Sequence, residues 1–534
     1  MPDAAYSSLR SLGERARWIV IGAFAVGFLF AVANAAITPF WFDELLTFYV
    51  SRLGSPAEIW AALESTADGQ PPFSYLVTWC FYGLLGETEL ATRLLSLLGF
   101  AITTYVFYLW IAERIGALHG VIAIGFLWTT LLFKYSFEAR PYALLTACVA
   151  LSLLLWRRAC DGQGRLGALL GLACVVAVAM GSHYYAIFSL FPVGAGELAR
   201  TWRRRKLDVP FWLALAAGSA TVLLYLPLIE GARKTYSVGF WSPVGWEDLM
   251  TFYVICLYTS GLSLLAYPYM IAAGWNNPKT LPGDDAGNSF PVEESVAMWA
   301  LTLTPILTAL AVMWTTGAYV FRYSLPAALG LAWIYAVFSS KCTYRRRRAA
   351  WVVVGIVAAS FVVKNVMRAK YLVPGYLDGF RTETTFASME QLEPAADLPI
   401  VVTSPVEYFV FQHYAPEPWR SRLVYITDPE QCLSVAKHQT IEVILNLFTR
   451  WAPLQVEARS EYLNRGSDFL LLDPLYDEGD TWLPFCRKFD MANLVRLHET
   501  NEFVLYRWSR SPEAGTDEKT RLQSEGRPKH KRNR

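Results

Sequence analysis

Eleven apolar runs, most of about 16–22 residues, recur along the first two-thirds of the 534-residue chain, separated by short charged knots. No other feature limits the fold so tightly. Lipid offers no partner to a backbone N–H or C=O, so a chain spans a bilayer only as helices or as a closed barrel. The runs are continuous rather than alternating, so the spans are helices. With 54% of its residues hydrophobic, the chain has far more apolar surface than a soluble protein can bury, and a net charge of +2 gives no footprint for nucleic acid.

The first run, Trp18 to Ile37, follows Arg10, Arg15 and Arg17, which predicts a cytoplasmic N-terminus. The AVANAA stretch over Ala31–Ala36 also resembles a signal-peptidase site, so a cleaved signal is the alternative. Further runs fall near 93–112, 120–137, 142–156, 166–182, 184–199, 210–229, 252–274, 297–315, 323–340 and 350–367. Eleven crossings then put the clusters at Arg157, Arg158 and Arg165, at Arg200 and Arg203–Lys206, and at Arg345–Arg348 on the cytoplasmic side. The aromatic stretch Pro72–Leu85 is too short to cross and reads as a helix in the outer interface. The Trp275–Glu294 loop reads as flexible.

This gives a polytopic all-α membrane domain over 1–367, with 39–92 as a first external loop carrying interfacial helices. After 368 the character changes. Pro399–Thr403, Phe469–Leu472 and Phe503–Tyr506 read as buried strands among polar helices, predicting a small extracytoplasmic α/β domain over 368–510 and a disordered tail over 511–534. Cys432 and Cys486 are placed to pair if that domain faces an oxidising compartment.

Several polar groups sit where a plain loop would not need them. Asp43 and Glu44 follow three aromatics directly after the first span and suit a general base with a metal ligand or orienting group; a charge-stabilised helix start is the plain alternative. Gln70, before Pro71 and Pro72, offers a donor and an acceptor, although turn chemistry explains the segment. Arg140, in Glu138-Ala139-Arg140-Pro141-Tyr142, suits a phosphate headgroup, or else a salt pair closing a hairpin. Arg322 and Tyr323 suit the same phosphate, or else an interfacial anchor. His183 lies between two spans as a metal or catalytic candidate, or as an ordinary hydrogen-bonded histidine. By topology all map to the external face, which points to a phosphorylated substrate handled at the outer leaflet.

These motifs resemble the GT-C superfamily of integral-membrane glycosyltransferases, in the branch of protein O-mannosyltransferases, lipid A aminoarabinose transferases and galacturonosyltransferases. The resemblance rests on Phe42-Asp43-Glu44, on Gln70-Pro71-Pro72 leading into Phe73-Ser74-Tyr75-Leu76, on Gly86-Glu87-Thr88-Glu89 with Arg93-Leu94-Leu95, and above all on Glu138–Leu145. It implies transfer of a sugar from a polyprenyl-phosphate carrier to a lipid, glycan or protein acceptor outside the cytoplasmic membrane. It further implies Asp43 as base with Glu44 assisting, and Glu138 with His183 helping to hold a divalent metal (Mg, Mn or Zn). Gln70 stands where members carry His before two prolines or Glu-Lys before one, so no family role carries over to it. A transporter or lipid-carrier flippase is the main rival; a glycan polymerase or ligase and a scaffold stand behind it. Transporters place charges and breaks at mid-membrane, whereas these charges cluster at span ends.

Overall fold

The computed structural model describes residues 14–162, 164–236, 240–275, 290–344, 346–377, 397–436, 438–474, 494–499 and 503–509. The expected tail from 511, most of the Trp275–Glu294 loop, and Cys486 with its pairing to Cys432 lie outside the described residues. The chain divides into two compact units, Met1–Asp378 with Arg450–Ala452, and Gly379–Thr449 with Pro453–Arg534.

The first unit is a multi-pass helical bundle. Among the described residues seven helices are long and apolar enough to cross a membrane: Val20–Ile37, Glu89–Ile115, Tyr142–Asp161, Arg165–Ser182, Val209–Thr235, Val292–Met313 and Arg347–Ala369. Asp248–Thr259 and Gly261–Trp275, bent by 78°, make an eighth if they are one broken span. Against about eleven expected crossings, seven or eight pass on length and composition among the described residues. Each expected run is largely helical, but Ala117–Thr129, Phe191–Arg204 and Ala327–Cys342 have 13, 14 and 16 residues. At about 1.5 Å per residue these reach roughly 20–24 Å, short of a hydrocarbon core of roughly 30 Å. The breaks are local. Thr130 turns to extended backbone after Thr129, and His183 does the same after Ser182. The interfacial candidate Phe73–Leu85 is a 13-residue helix.

Small residues let the helices close. A Cβ on Gly99 would stand 2.7 Å from the backbone nitrogen of Leu144 and 2.8 Å from the carbonyl carbon of Ala143. The Glu89–Ile115 and Tyr142–Asp161 helices thus meet backbone to backbone. Gly116, at φ 92°, turns the first of these into the Ala117–Thr129 helix. Fully buried Trp156, Tyr108, Tyr142 and Phe100 fill the space between helices.

The second unit is a six-stranded sheet with helices between its parallel strands. Its strands are β1 (Ile400–Val402), β2 (Leu423–Thr427), β3 (Val456–Ala458), β4 (Phe469–Pro474), β5 (Leu494–Glu499) and β6 (Phe503–Trp508), in the order β3-β2-β1-β4-β6-β5. Strands β1 to β4 pair in parallel; β6 runs antiparallel to both β4 and β5. The hydrophobic runs read as strands are β1, β4 and β6. Val401, Val424, Ile426, Tyr462, Phe469 and Leu471 form one of its cores.

Candidate active site

The site begins with two adjacent carboxylates that the helix sends in different directions. Asp43 and Glu44 occupy the first turn of the Phe42–Ser51 helix, where the positive end of the helix dipole favours both. Successive helical residues point about 100° apart, so one can face the core while the other does not. Glu44 is the inward one, 1% exposed. Arg93 grips it bidentately, Nε to Oε1 and Nη2 to Oε2, both at 2.8 Å, and Ala139 N–H donates to Oε1 at 2.7 Å. Arg93 also donates to the Ala35 carbonyl at 2.7 Å and to that of Thr38. Glu44 thus ties the end of the first span, the next span and the 138–141 loop together.

Asp43 keeps 15% of its side chain exposed and lies between two guanidinium groups. Arg322 Nη2 donates to Asp43 Oδ2 at 3.0 Å, and Arg140 Nε stands 3.8 Å from the same oxygen. Arg140 Nη1 donates to Asp68 Oδ2 at 2.7 Å and to the Asp43 carbonyl at 3.1 Å. Tyr75 donates its hydroxyl hydrogen to Asp68 at 2.6 Å. Arg322 Nε donates to Tyr142 Oη at 2.9 Å, and its guanidinium packs 5.6 Å from the Trp41 ring and 5.5 Å from that of Trp241. Burial works against the Arg140 charge, but Asp68 and Asp43 outweigh it and hold its pKa well above the usual arginine value.

The loop carrying Arg140 is fixed from behind. Ser96 Oγ lies 2.6 Å from the Glu138 carbonyl and 3.0 Å from that of Arg140, positioned to donate to either. Glu138 itself is buried, with Oε1 3.3 Å from Lys134 Nζ and Oε2 without a partner. Burial pushes it up to about 7 against the pull of Lys134.

His183 stacks among Tyr323, Tyr142 and Tyr185, with ring centroids 4.8, 5.6 and 5.7 Å away. Its Nδ1 accepts the Tyr185 N–H at 3.1 Å, which places the hydrogen of a neutral ring on Nε2. Burial first, then the Arg140 and Arg322 charges, push its pKa down to about 3, so the ring is neutral. Among the described residues that Nε2–H has no hydrogen-bond partner, and neither do Arg140 Nε, Trp41 Nε1 and Gln70 Oε1, all of them buried. Such atoms are costly to leave unsatisfied unless something else meets them.

The structure thus brings Asp43, Arg140, His183, Arg322 and Tyr323 together, and places Glu44 behind them. Gln70 lies two residues after Asp68, and its buried Oε1 has no hydrogen-bond partner among the described residues. Glu138 and His183 do not form a metal centre with a third donor: among the described residues no three His, Cys, Asp or Glu side chains converge as one. Each already has another partner, Lys134 for one and the Tyr185 N–H for the other. No step below is routed through a metal. Asp68, Tyr142 and Arg93 are the residues that local motifs undervalue, because their partners lie 72, 180 and 49 positions away.

Residues 69–229 match the family model described as dolichyl-phosphate-mannose-protein mannosyltransferase. No curated protein sequence matches the chain. Among solved structures, ArnT from Cupriavidus metallidurans bound to undecaprenyl phosphate matches with a TM-score of 0.53 and 13% identity, covering 92% of this chain and 98% of that one. The apo state of the same protein matches with a TM-score of 0.57 and 12% identity, covering 93% and 98%. At such identities the likeness is one of fold.

Proposed function

We propose that this chain, a GT-C-type integral-membrane glycosyltransferase by its family match and fold, moves a sugar from a polyprenyl-phosphate carrier to an acceptor hydroxyl outside the cytoplasmic membrane. The observation that carries this reading is Asp43: a partly open carboxylate 3.0 Å from one arginine and 3.8 Å from another, beside buried polar atoms with no partner of their own.

The arrangement couples two charge changes. Asp43 takes the acceptor's proton while the acceptor oxygen attacks the sugar's anomeric carbon. The bond from that carbon to the carrier phosphate breaks, and the phosphate leaves as a monoester with one more negative charge. At the same moment the Asp43 charge is neutralised, so Arg322 loses its partner and is left facing the phosphate. At an effective dielectric of about 20, a unit charge released some 4 Å away is worth about 4 kcal/mol, so the compensation is large where it is needed. No general acid is required, because the leaving group is a phosphate. A single displacement inverts the anomeric centre. Glu44 acts by positioning: its grip on Arg93 and Ala139 holds the Asp43 helix against the Arg140 loop.

A bent helix is a feature transporters use at mid-membrane. At this break, however, the Ser263 carbonyl already accepts from the Tyr335 hydroxyl at 2.9 Å, so it is not left open to ligate an ion. The direct test is purified protein in liposomes with a radiolabelled polyprenyl-phosphate sugar and a panel of lipid, glycan and peptide acceptors. Acceptor-dependent release of carrier phosphate supports transfer. Movement of the labelled lipid between leaflets without cleavage would refute it. A reporter active only outside the cytoplasm, fused after Arg510, tests the orientation, and a stable but inactive fusion overturns it.

A further inference from the structure

The last span carries two cations that the proposed reaction does not use. Lys364 and Arg368 sit one turn apart on the Arg347–Leu377 helix, within its membrane-spanning part, on the same face as Phe361 and Asn365, which are 3% and 5% exposed. The opposite face, Val362, Val363, Val366 and Met367, is the exposed one. Residues that merely snorkel to the interface lie on the lipid side, so these two do not. Among the described residues neither forms an ion pair with a carboxylate. Lys364 Nζ donates to the Thr129 carbonyl at 2.8 Å. Arg368 lies 4.3 Å from the Phe137 ring centroid, and its buried Nε has no partner.

The break of the bent helix pair lies beside them. Ser263 Oγ bonds the Thr129 hydroxyl at 3.1 Å, so Thr129 is shared between that break and Lys364. The short Gly261–Leu264 helix packs on the Lys364 helix. Ser260, at the break and 1% exposed, has a hydroxyl with no partner. The carboxylates whose charges reach Arg368 are Glu138, with one oxygen already facing Lys134, and Glu44, already gripped by Arg93. Two positive groups and an unpaired hydroxyl in a dry, helix-lined place call for an anion with several acceptor oxygens.

We infer that Lys364, Arg368 and Ser260 form a binding site for a phosphate group carried by a membrane lipid, built from side chains that the Asp43–Arg322 centre does not use. Phosphate oxygens accept from the Lys364 ammonium, the Arg368 guanidinium and the Ser260 hydroxyl, while the acyl or prenyl chain lies along the apolar face of the bundle. A lipid rather than free phosphate is favoured because both cations lie within the membrane-spanning part of the helix. The inference does not depend on the proposed reaction.

The test is native mass spectrometry of the full-length protein in neutral detergent, titrated with phosphatidic acid, with phosphatidylglycerol, and with inorganic phosphate. The parent should retain a tightly held lipid phosphate. Lys364→Gln/Arg368→Gln should weaken it at least tenfold and Ser260→Ala several-fold. If the double variant fails to fold, Arg368→Gln carries the test alone, since the Phe137 ring is that side chain's contact. Unchanged lipid binding in the cation variants overturns the site and leaves Lys364 as a cap on the Ala117–Thr129 helix. Equal binding of inorganic phosphate overturns the lipid as its source.

Discussion

Two buried charge clusters stand at the two ends of one helix, Tyr142–Asp161, and they are built from the same parts. Near Tyr142 are Asp43, Asp68, Arg140 and Arg322. About 21 Å away, near Trp156, are Glu197, Asp208, Arg165 and Arg200. In the second cluster Arg200 bonds both Glu197 oxygens at 3.0 and 3.2 Å and Asp208 at 3.0 Å. Trp156 Nε1 completes Glu197 at 2.8 Å, and the Phe211 N–H and Arg165 complete Asp208. In the first, Arg140 Nε, His183 Nε2 and Trp41 Nε1 are left over. The second cluster also joins near neighbours, with its pairs 3, 8 and 43 positions apart, whereas the first reaches across as many as 279. Charge content does not separate a staple from a site. What differs is that members of the first cluster, drawn from remote parts of the chain, keep unpaired donors of their own.

The comparison breaks most sharply at Asp43. Asp43→Asn should lower sugar transfer by about 10²–10⁴-fold with unchanged yield of folded protein, the range for loss of a general base. Glu197→Gln should leave turnover per folded molecule near the parent's. A fully active Asp43→Asn enzyme would erase the distinction. Next in size, removing one partner of either sealed pair, Arg93→Gln or Glu197→Gln, should cost about 3–5 kcal/mol of stability, read as a fall in melting temperature and in detergent-extracted yield.

Arg140→Lys and Arg322→Lys keep the charge but lose the fork. Each should cost about 1.5–3 kcal/mol in the transition state, roughly 10- to 150-fold in rate, with Arg140→Ala worse. Lysine variants that turn over like the parent would make the arginines anchors. The smallest effect concerns pH. The Glu138 pKa is raised to about 7 in the fold, so between its unfolded value near 4.5 and 7 the folded state holds the extra proton and stability falls as pH rises. Glu138→Gln should flatten that slope and be more stable than the parent by about 1–3 kcal/mol at pH 8. A melting series from pH 5 to 8 reads it directly; identical slopes would mean that Glu138 stays charged.

The membrane bundle was legible because an apolar run announces itself locally, and so were β1, β4 and β6. What hydropathy could not show is where a run breaks: Ser260 sits unmarked in the middle of 252–274, yet the chain turns there by 78°. The site was legible as a set of residues and not as a set of roles. Asp43 and Glu44 look alike in sequence, and only Arg93, which reads as the start of the next span, makes one of them a brace. Asp68 carries no local signal, because its partner Arg140 is 72 positions off. Lys364 passed unnoticed in a run that is otherwise apolar.

Gly99 carries a consequence for how this chain can vary. Alanine is the better helix former by about 1 kcal/mol, and Gly99→Ala in a lipid-embedded helix would look silent to anyone cataloguing natural variants. Yet the added methyl group would meet the backbone of Ala143 and Leu144, in the first turn of the helix that follows Arg140. No trimming of a neighbouring side chain can relieve it, because the atoms it strikes belong to the main chain. Relief needs a whole helix to move, and a shift of about 1 Å at the reacting groups can cost 100-fold. Such a variant would score as an active-site lesion in an assay and would yield no simple suppressor, so the position is closed to drift by a hydrogen atom in place of a carbon.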